Sequence, residues 1–272
     1  MNKTLIWIIA VVVTIATVIY QRKTGPTYPV PVSVEISGNT IESSLPRSHG
    51  GDGDREIRIE VPDQSIGGMI LYKRFPTSDP YDTTMMVRQG SELVGYLPHQ
   101  PPAGKLEYRA VLEKEGSQYA LNDKPVVVRF KGDVPAGVLI PHILFIFIAE
   151  LLSLIAGLFA LFKLSKYKLY SLLTVIFLFV GGFVLGPVIQ KYAFGALWTG
   201  FPFGMDLTDN KVLFAMLFWI LAVVMNIKKD RPKLVIIASV IFFLVNMIPH
   251  SMFGSEMDYE SGEVISGMIM MF

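Results

Sequence analysis

The sequence of 272 residues contains no cysteine. This absence excludes disulfide bonds, thiolate metal sites, c-type haem attachment and a cysteine nucleophile. The chain also lacks the patterns of a P-loop, of an HExxH zinc site, of a GxSxG hydrolase and of a dinucleotide-binding fingerprint. The sequence therefore predicts a protein that is not an enzyme.

Charge is scarce as well. Lys, Arg, Asp and Glu make up 17% of the chain, whereas charged residues are about a quarter of an ordinary soluble domain. The net charge of +1 gives no electrostatic support for nucleic-acid binding. In contrast, 51% of the residues are hydrophobic, the mean hydropathy is +0.47, and the apolar residues form long blocks. This composition predicts an integral membrane protein in contact with the lipid bilayer.

The first apolar block runs from Leu5 to Tyr20. A cleaved signal peptide would end in a small-x-small cleavage site, but Gln21, Arg22 and Lys23 follow instead. We therefore expect an uncleaved N-terminal transmembrane anchor over residues 1–23.

Residues 24–135 have a different pattern. Apolar and polar residues alternate in short segments separated by turn sequences, which is typical of β-strands. The segments are Arg55–Val61, Met69–Lys73, Leu93–Leu97, Leu106–Leu112 and the β-branched run Val126–Phe130. Short strands at this spacing predict an antiparallel β-sandwich.

One stretch carries a resemblance. PPAGKLEYRAVLE, residues 101–113, resembles the late turn and strand of fibronectin type III and immunoglobulin-like domains. The resemblance implies a sandwich of that family, with Leu106 and Tyr108 at a tyrosine corner.

Four further apolar blocks follow the β-rich segment. They predict a four-helix transmembrane bundle over residues 136–250, with spans at about 138–162, 169–189, 212–227 and 234–248. A tail, 251–272, closes the chain. The predicted fold class is thus a membrane α-helical bundle plus an all-β domain, preceded by an anchor helix.

The basic residues predict the orientation. The loops at 163–168 and 228–233 carry three and four basic residues, whereas the loop at 190–211 carries Lys191 and Lys211, offset by two aspartates. Because cytoplasmic loops are enriched in Lys and Arg, we expect the two basic loops and the N-terminus in the cytoplasm. The β-sandwich and the C-terminal tail are then extracytoplasmic.

Ionisable groups within or beside membrane spans are candidates for function. His142 and His250, each preceded by proline, are expected at the outer interface. Two imidazoles at one depth could ligate haem iron or a transition metal. Alternatively, each histidine caps or anchors a helix end by hydrogen bonds to the backbone, or donates a hydrogen bond to a carbonyl or quinone. Asn246 precedes His250 by one turn, and Glu150 lies about two turns below His142, where a carboxyl is either protonated or paired.

The loop from Lys191 to Lys211 interrupts the apolar half of the chain. Trp198, Asp206, Asp209 and Lys211 are its candidate residues. One interpretation is structural: a carboxylate caps the next helix and the aromatic residues form an interfacial belt. The other is a folded outer cover over a ligand site, since three glycines are spaced among the aromatic residues.

The order of these features resembles haem-handling proteins of cytochrome c assembly. His142, the loop with Trp198 and Asp206, and His250 are the matching parts, whereas the loop here has one tryptophan and no Trp-Asp-Pro-Lys-Glu core. The resemblance implies haem binding beneath the 191–211 loop.

A second resemblance covers most of the chain. TGPTYP (24–29), VLIPHI (138–143), KYAFGALWTGFPFG with DLTDNK (191–211) and PHSMFGSE (249–256) resemble a group of uncharacterised bacterial membrane proteins. It implies five spans and a bacterial inner membrane.

Two functions follow as hypotheses. The first is an accessory or assembly subunit whose sandwich binds another envelope or membrane protein. The alternative is a haem- or metal-handling membrane protein that uses His142 and His250.

Overall fold

The computed structural model describes residues 2–249 and 254–265. The chain forms two compact units, each of which is described by itself. The β-rich unit comprises Thr27–Asp133 and Glu256–Ile265, and the helical unit comprises the other described residues. The last predicted segment, 251–272, therefore contributes ten residues to the β-rich unit.

The helical unit is built from apolar helices. Their bounds are α1 Lys3–Thr24, α2 Ala136–Leu161, α3 Tyr167–Phe179, α4 Gly186–Phe194, α5 Leu207–Lys228 and α6 Pro232–Met247. A π-helical turn, Val180–Leu185, joins α3 to α4. Four helices, counting α3 to α4 as one, have the length and hydropathy to cross a membrane, and α6 is a shorter apolar helix of 16 residues. The sequence predicted five spans; the described residues contain four helices of membrane length and a shorter fifth, so the coarser prediction of four or five apolar helices is confirmed.

Small residues let the helices of this unit approach closely. A Cβ on Gly157 would lie 2.4 Å from the Ser239 hydroxyl, and a Cβ on Gly182 would lie 2.5 Å from Val212. Close backbone approach at small residues is the usual way in which membrane helices associate.

Contacts between helices define two ends of the bundle. At one end, Gln21 near the end of α1 and Lys211 near the start of α5 both donate to the Ile248 carbonyl at the end of α6. At the other end, Trp7 meets Tyr170 edge-on at a ring distance of 5.9 Å. We call the first the cover end, because α4 and α5 are joined there, and the second the basic end.

The β-rich unit contains thirteen strands among the described residues. They are β1 Val30–Ile36, β2 Asn39–Leu45, β3 Ser48–Gly50, β4 Arg55–Glu60, β5 Gly67–Arg74, β6 Asp82–Met85, β7 Val87–Gln89, β8 Glu92–Leu97, β9 Lys105–Lys114, β10 Ser117–Ala120, β11 Val126–Lys131, β12 Glu256–Met257 and β13 Val264–Ile265. The five segments predicted from alternation correspond to β4, β5, β8, β9 and β11.

The strands form sheets around a shared core. One sheet has the order β3–β11–β9–β5–β6, with β10 also paired to β9, and a second has the order β4–β8–β7. The pairs are antiparallel except β3 with β11. Ile57 and Ile59 from β4 share a buried cluster with Leu106 and Leu112 from β9. A β-rich region is thus confirmed; its immunoglobulin- or fibronectin-like identity stays a prediction.

Two tyrosines fix β9 to distant parts of the chain. Tyr108 is fully buried, and its hydroxyl donates to the Pro46 carbonyl at 2.8 Å. Burial raises the pKa of Tyr108 well above its usual range. Tyr259, between β12 and β13, accepts from the Lys105 N–H at 2.9 Å and donates to the Lys105 carbonyl at 2.8 Å. A Lys105–Glu256 ion pair at 2.6 Å adds to this attachment of the C-terminal hairpin.

Candidate functional site

The segment joining α4 to α5, residues 195–206, is a hydrogen-bonded structure that we call the cover segment. The Asp209 carboxylate accepts from the N–H groups of Thr199 at 2.7 Å and Gly200 at 3.1 Å. The Asn210 amide oxygen accepts from the Phe201 N–H at 2.7 Å. The first turn of α5 therefore holds the backbone of the cover segment in place.

The Gln190 side chain at the end of α4 completes this frame. Its amide lies between the Thr199 hydroxyl and the Asp209 carboxylate, and with its nitrogen toward Asp209 it donates to both oxygens at 3.1 and 3.2 Å. Both flanking helices thus hold the same turn. The fit is close at Gly200, where a Cβ would lie 2.6 Å from the Asp209 Cβ.

Asp206 and Lys211 satisfy helix ends. Asp206 is the N-cap of α5, and it accepts from the N–H groups of Thr208 at 2.8 Å and Asp209 at 3.2 Å. Lys211 is buried and donates to the Ile248 carbonyl at 2.9 Å. A cation at this position also complements the dipole at the end of α6. The capping function expected within this loop thus belongs to Asp206.

The apolar side chains of the cover segment point away from the bundle. Leu197, Phe201, Phe203 and Met205 are exposed by 56%, 66%, 81% and 60%. Trp198 instead stacks on Phe183 of the π-helical turn at a ring distance of 5.4 Å. A fixed backbone therefore presents four apolar side chains, while Trp198 fastens the segment to the bundle.

His142 lies on the other side of the same π-helical turn. Its Nδ1 is 2.9 Å from the Gly181 carbonyl, which also accepts from the Gly186 N–H. Because a carbonyl only accepts, Nδ1 carries the proton, and in the neutral ring Nε2 keeps its lone pair. Nε2 can accept a hydrogen bond or ligate a metal. The predicted partner, His250, lies outside the described residues.

Glu150 is a buried carboxyl of the helical unit, with 1% exposure. Thr17 of α1 and Asn246 of α6 are the described side chains that interact with it. Within the described part of the chain, neither carboxyl oxygen has a formed hydrogen bond, and the buried Asn246 Nδ2 also has no partner. The Thr17 hydroxyl donates to the Val13 carbonyl at 3.0 Å, so its oxygen remains an acceptor.

The end of α6 connects this carboxyl to the cover end. The Asn246 carbonyl accepts from Gln21, and the Ile248 carbonyl accepts from Gln21 and Lys211. Polar groups of α1, α5 and α6 thus meet here. His142 belongs to the same helix as Glu150 but has different partners. It contacts the Gly181 carbonyl of the π-helical turn, whereas Glu150 interacts with side chains of α1 and α6.

Five residues of the site carry no functional signal in the sequence: Gln21, Thr17, Gln190, Asn210 and Thr199. The Gly186-Pro187 pair inside an apolar span could have indicated the irregular turn, because proline removes a helical donor. The residues Thr199 and Asn210 have no comparable signal.

The chain matches no family model, no curated protein and no solved structure. Among the described residues, no group of three or more His, Asp or Glu side chains could hold a metal ion.

Proposed function

We propose that this chain is an integral protein of a bacterial cytoplasmic membrane that binds another membrane or envelope protein as an accessory or assembly subunit. The bacterial source rests on the resemblance to uncharacterised bacterial membrane proteins. The β-rich unit, proposed to be immunoglobulin-like, and the cover segment would supply the binding surfaces. The proposal assigns no enzymatic activity.

The proposed orientation has the basic end in the cytoplasm. The two basic loops lie at that end, where Lys168 of one is paired with Asp230 of the other at 2.5 Å. A folded β-rich unit cannot cross the bilayer. The helices that lead into this unit and out of it must therefore reach it from the same side of the membrane. The meeting of the ends of α1 and α6 at the cover end supports this arrangement. The N-terminus would then be cytoplasmic and the β-rich unit extracytoplasmic.

The proposal rests on one observation: the cover segment exposes apolar side chains on a backbone fixed by hydrogen bonds. Phe201, Phe203 and Met205 are exposed on a backbone that Asp209 and Asn210 hold by hydrogen bonds. A fluid bilayer requires no fixed arrangement of apolar side chains. A protein partner gains affinity from such preorganisation, because less conformational freedom is lost on binding.

Site-specific photo-crosslinking tests this proposal. A photoreactive amino acid at Phe203 should yield one protein adduct of constant mass in cells, and Gly200→Ala, which disturbs the frame, should abolish it. Gly137→Ala is the matched control, because a Cβ there meets nothing within 4 Å. Adducts with lipid alone, in the presence of the folded chain, would refute the proposal.

The second candidate is haem or transition-metal handling, and the hydrogen bond from His142 to Gly181 favours it. With Nδ1 protonated, the lone pair of the neutral ring is on Nε2. A ring nitrogen in this state can ligate a metal. His250 would supply the second ligand. The purified protein should then show a Soret band, or bound metal, that His142→Ala removes. Colourless and metal-free protein that carries a protein partner would exclude this candidate.

A further inference from the structure

The carboxyl of Glu150 is a group that neither proposed function uses. It lies in α2 between α1 and α6, is buried, and has no formed hydrogen bond with residues 2–249 or 254–265. Among the described residues no charged side chain interacts with it: α1 contributes Thr17 and α6 contributes Asn246. Lys211, the nearest cation in the chain of hydrogen bonds from α6, donates to a carbonyl instead.

An ionised carboxylate in this position would be costly, because its oxygens are buried and no charged side chain among the described residues compensates its charge. A sodium ion is a poor alternative occupant. Hard cations are usually surrounded by about six oxygen atoms, whereas the described side chains that interact with Glu150 add one hydroxyl oxygen and one amide oxygen to its own two.

The surrounding groups match a neutral carboxylic acid instead. Such an acid has one O–H donor and one carbonyl acceptor. The Thr17 oxygen is an acceptor, since its hydrogen is given to the Val13 carbonyl. The Asn246 Nδ2 is a buried donor without a partner. A small adjustment of these side chains would let the Glu150 acid donate to the Thr17 oxygen and accept from the Asn246 amide.

We propose that Glu150, Thr17 and Asn246 form a binding site for a single exchangeable proton between three membrane helices. On release, the O–H bond of the acid breaks, its electron pair stays on the carboxylate oxygen, and the proton passes to water. The Thr17 hydroxyl then turns from the Val13 carbonyl to donate to the carboxylate, and the Asn246 amide donates as well. Proton binding is thereby coupled to the contacts of α1 and α6 with α2.

Carbodiimide labelling tests the site on the full chain in liposomes. Dicyclohexylcarbodiimide reacts with protonated carboxyls in apolar surroundings, and mass spectrometry locates the adduct. We expect modification of Glu150 at neutral pH, a rate that falls as the pH is raised, and no adduct at that position in Glu150→Gln. Glu35 and Glu42, exposed on β1 and β2, are internal references that should stay unmodified.

Two further variants separate a proton site from a merely buried carboxyl. Asn246→Leu removes a donor that stabilises the carboxylate more than the acid. The labelling should then persist to higher pH. The proton concentration at which the labelling rate is half-maximal should fall about fivefold, which corresponds to roughly one hydrogen bond. Ser153→Ala, one turn away on α2 and paired with Ser239, should leave the profile unchanged.

Three results would overturn the proposal. They are the absence of an adduct on Glu150 in folded protein, a labelling rate independent of pH, and an Asn246→Leu profile equal to that of Ser153→Ala. If Asn246→Leu does not fold, the pH profile of the unsubstituted chain still decides. Glu150→Gln, which copies the neutral acid in shape, should fold normally by circular dichroism.

Discussion

Most buried hydroxyls of the helical unit bond to their own helix. Thr14 donates to the Ala10 carbonyl at 2.8 Å, and Ser171 donates to the Tyr167 carbonyl at 2.8 Å. Such bonds one turn back satisfy a hydroxyl in an apolar environment at little cost. Glu150 has no equivalent option, since its oxygens cannot donate when ionised. This difference distinguishes an ionised Glu150 from the buried hydroxyls that bond one turn back.

In the β-rich unit, the ion pair of Asp63 with Lys114 makes stability depend on pH. Lys114 donates to Asp63 Oδ2 at 2.8 Å, and Ser65 donates twice to Oδ1. These bonds hold the pKa of Asp63 well below its usual range. Because the pKa is lower in the folded state than the unfolded value of about 3.9, the stabilisation is present above that pH. It is lost as the pH falls through the lower, folded value.

We therefore predict that Asp63→Asn lowers the melting temperature most at neutral pH. The difference from the unsubstituted chain should narrow progressively below about pH 4, since protonation of Asp63 weakens the same bonds. Thermal unfolding of the full chain in detergent between pH 7 and pH 3 measures it. Asp52→Asn, in an exposed turn, is the control. A difference that stays constant over this range would contradict the assignment.

At the scale of elements, the cover segment depends on the two helices that flank it. Gly195 ends α4 in the left-handed region with a φ of 85°, and its N–H donates to the Lys191 carbonyl. Asp206 then begins α5. Between these two caps, the backbone N–H groups of Gly200 and Phe201 donate to the side chains of Asp209 and Asn210 in the first turn of α5.

We predict that Gly200→Ala loosens the cover segment without unfolding the bundle. The added Cβ cannot fit beside Asp209 and Asn210, so the N–H bonds of residues 200 and 201 are lost. Two such bonds contribute roughly 2 kcal/mol, and amide exchange in residues 195–206 should be about thirtyfold faster. Hydrogen exchange measured by mass spectrometry checks this. Exchange equal to that of Gly137→Ala would show that the frame is not needed.

The helices and the main strands could be predicted because their signals are local. Long apolar blocks indicate α1, α2 and α5, and alternation indicates β4 and β9. The strands β1 and β2, which pair over seven residues, were not predicted: β1 contains proline and lies in a Pro-rich stretch, and β2 has Ile41 and Leu45 as its only buried residues. The attachment of β12 and β13 depends on Tyr259 meeting Lys105, which is 154 residues away, and no local pattern encodes that contact.

The candidate residues likewise differ in whether a local sequence signal predicts their role. A carboxylate cap at the start of α5 and a buried carboxyl at Glu150 follow from their neighbours in sequence, whereas the choice of Asp206 over Asp209 as the cap is seen only in the structure. The acceptor of Lys211 does not follow from its neighbours: Lys211 donates to the Ile248 carbonyl, 37 residues away in the chain. Such pairings are decided by which helix ends come together in the bundle, and a single sequence does not specify this.

At the scale of the whole molecule, the two units impose one topological requirement. The chain passes from α1 into the β-rich unit and back into α2, and it enters that unit again after α6. If the chain spans a membrane as proposed, these crossings require the ends of α1 and α6 and the start of α2 to lie on one side of it. The hydrogen bonds of Gln21 with α6 at the cover end agree with this requirement.

Cysteine accessibility tests the arrangement most directly, because the natural chain has no cysteine. Single cysteines at Ser117 in β10, at Leu197 in the cover segment and at Lys166 in a basic loop are treated with a membrane-impermeant maleimide on intact spheroplasts. We predict labelling of Ser117→Cys and Leu197→Cys, and labelling of Lys166→Cys only after permeabilisation. Labelling of Lys166→Cys in intact spheroplasts, or opposite results for the other two, would contradict the account.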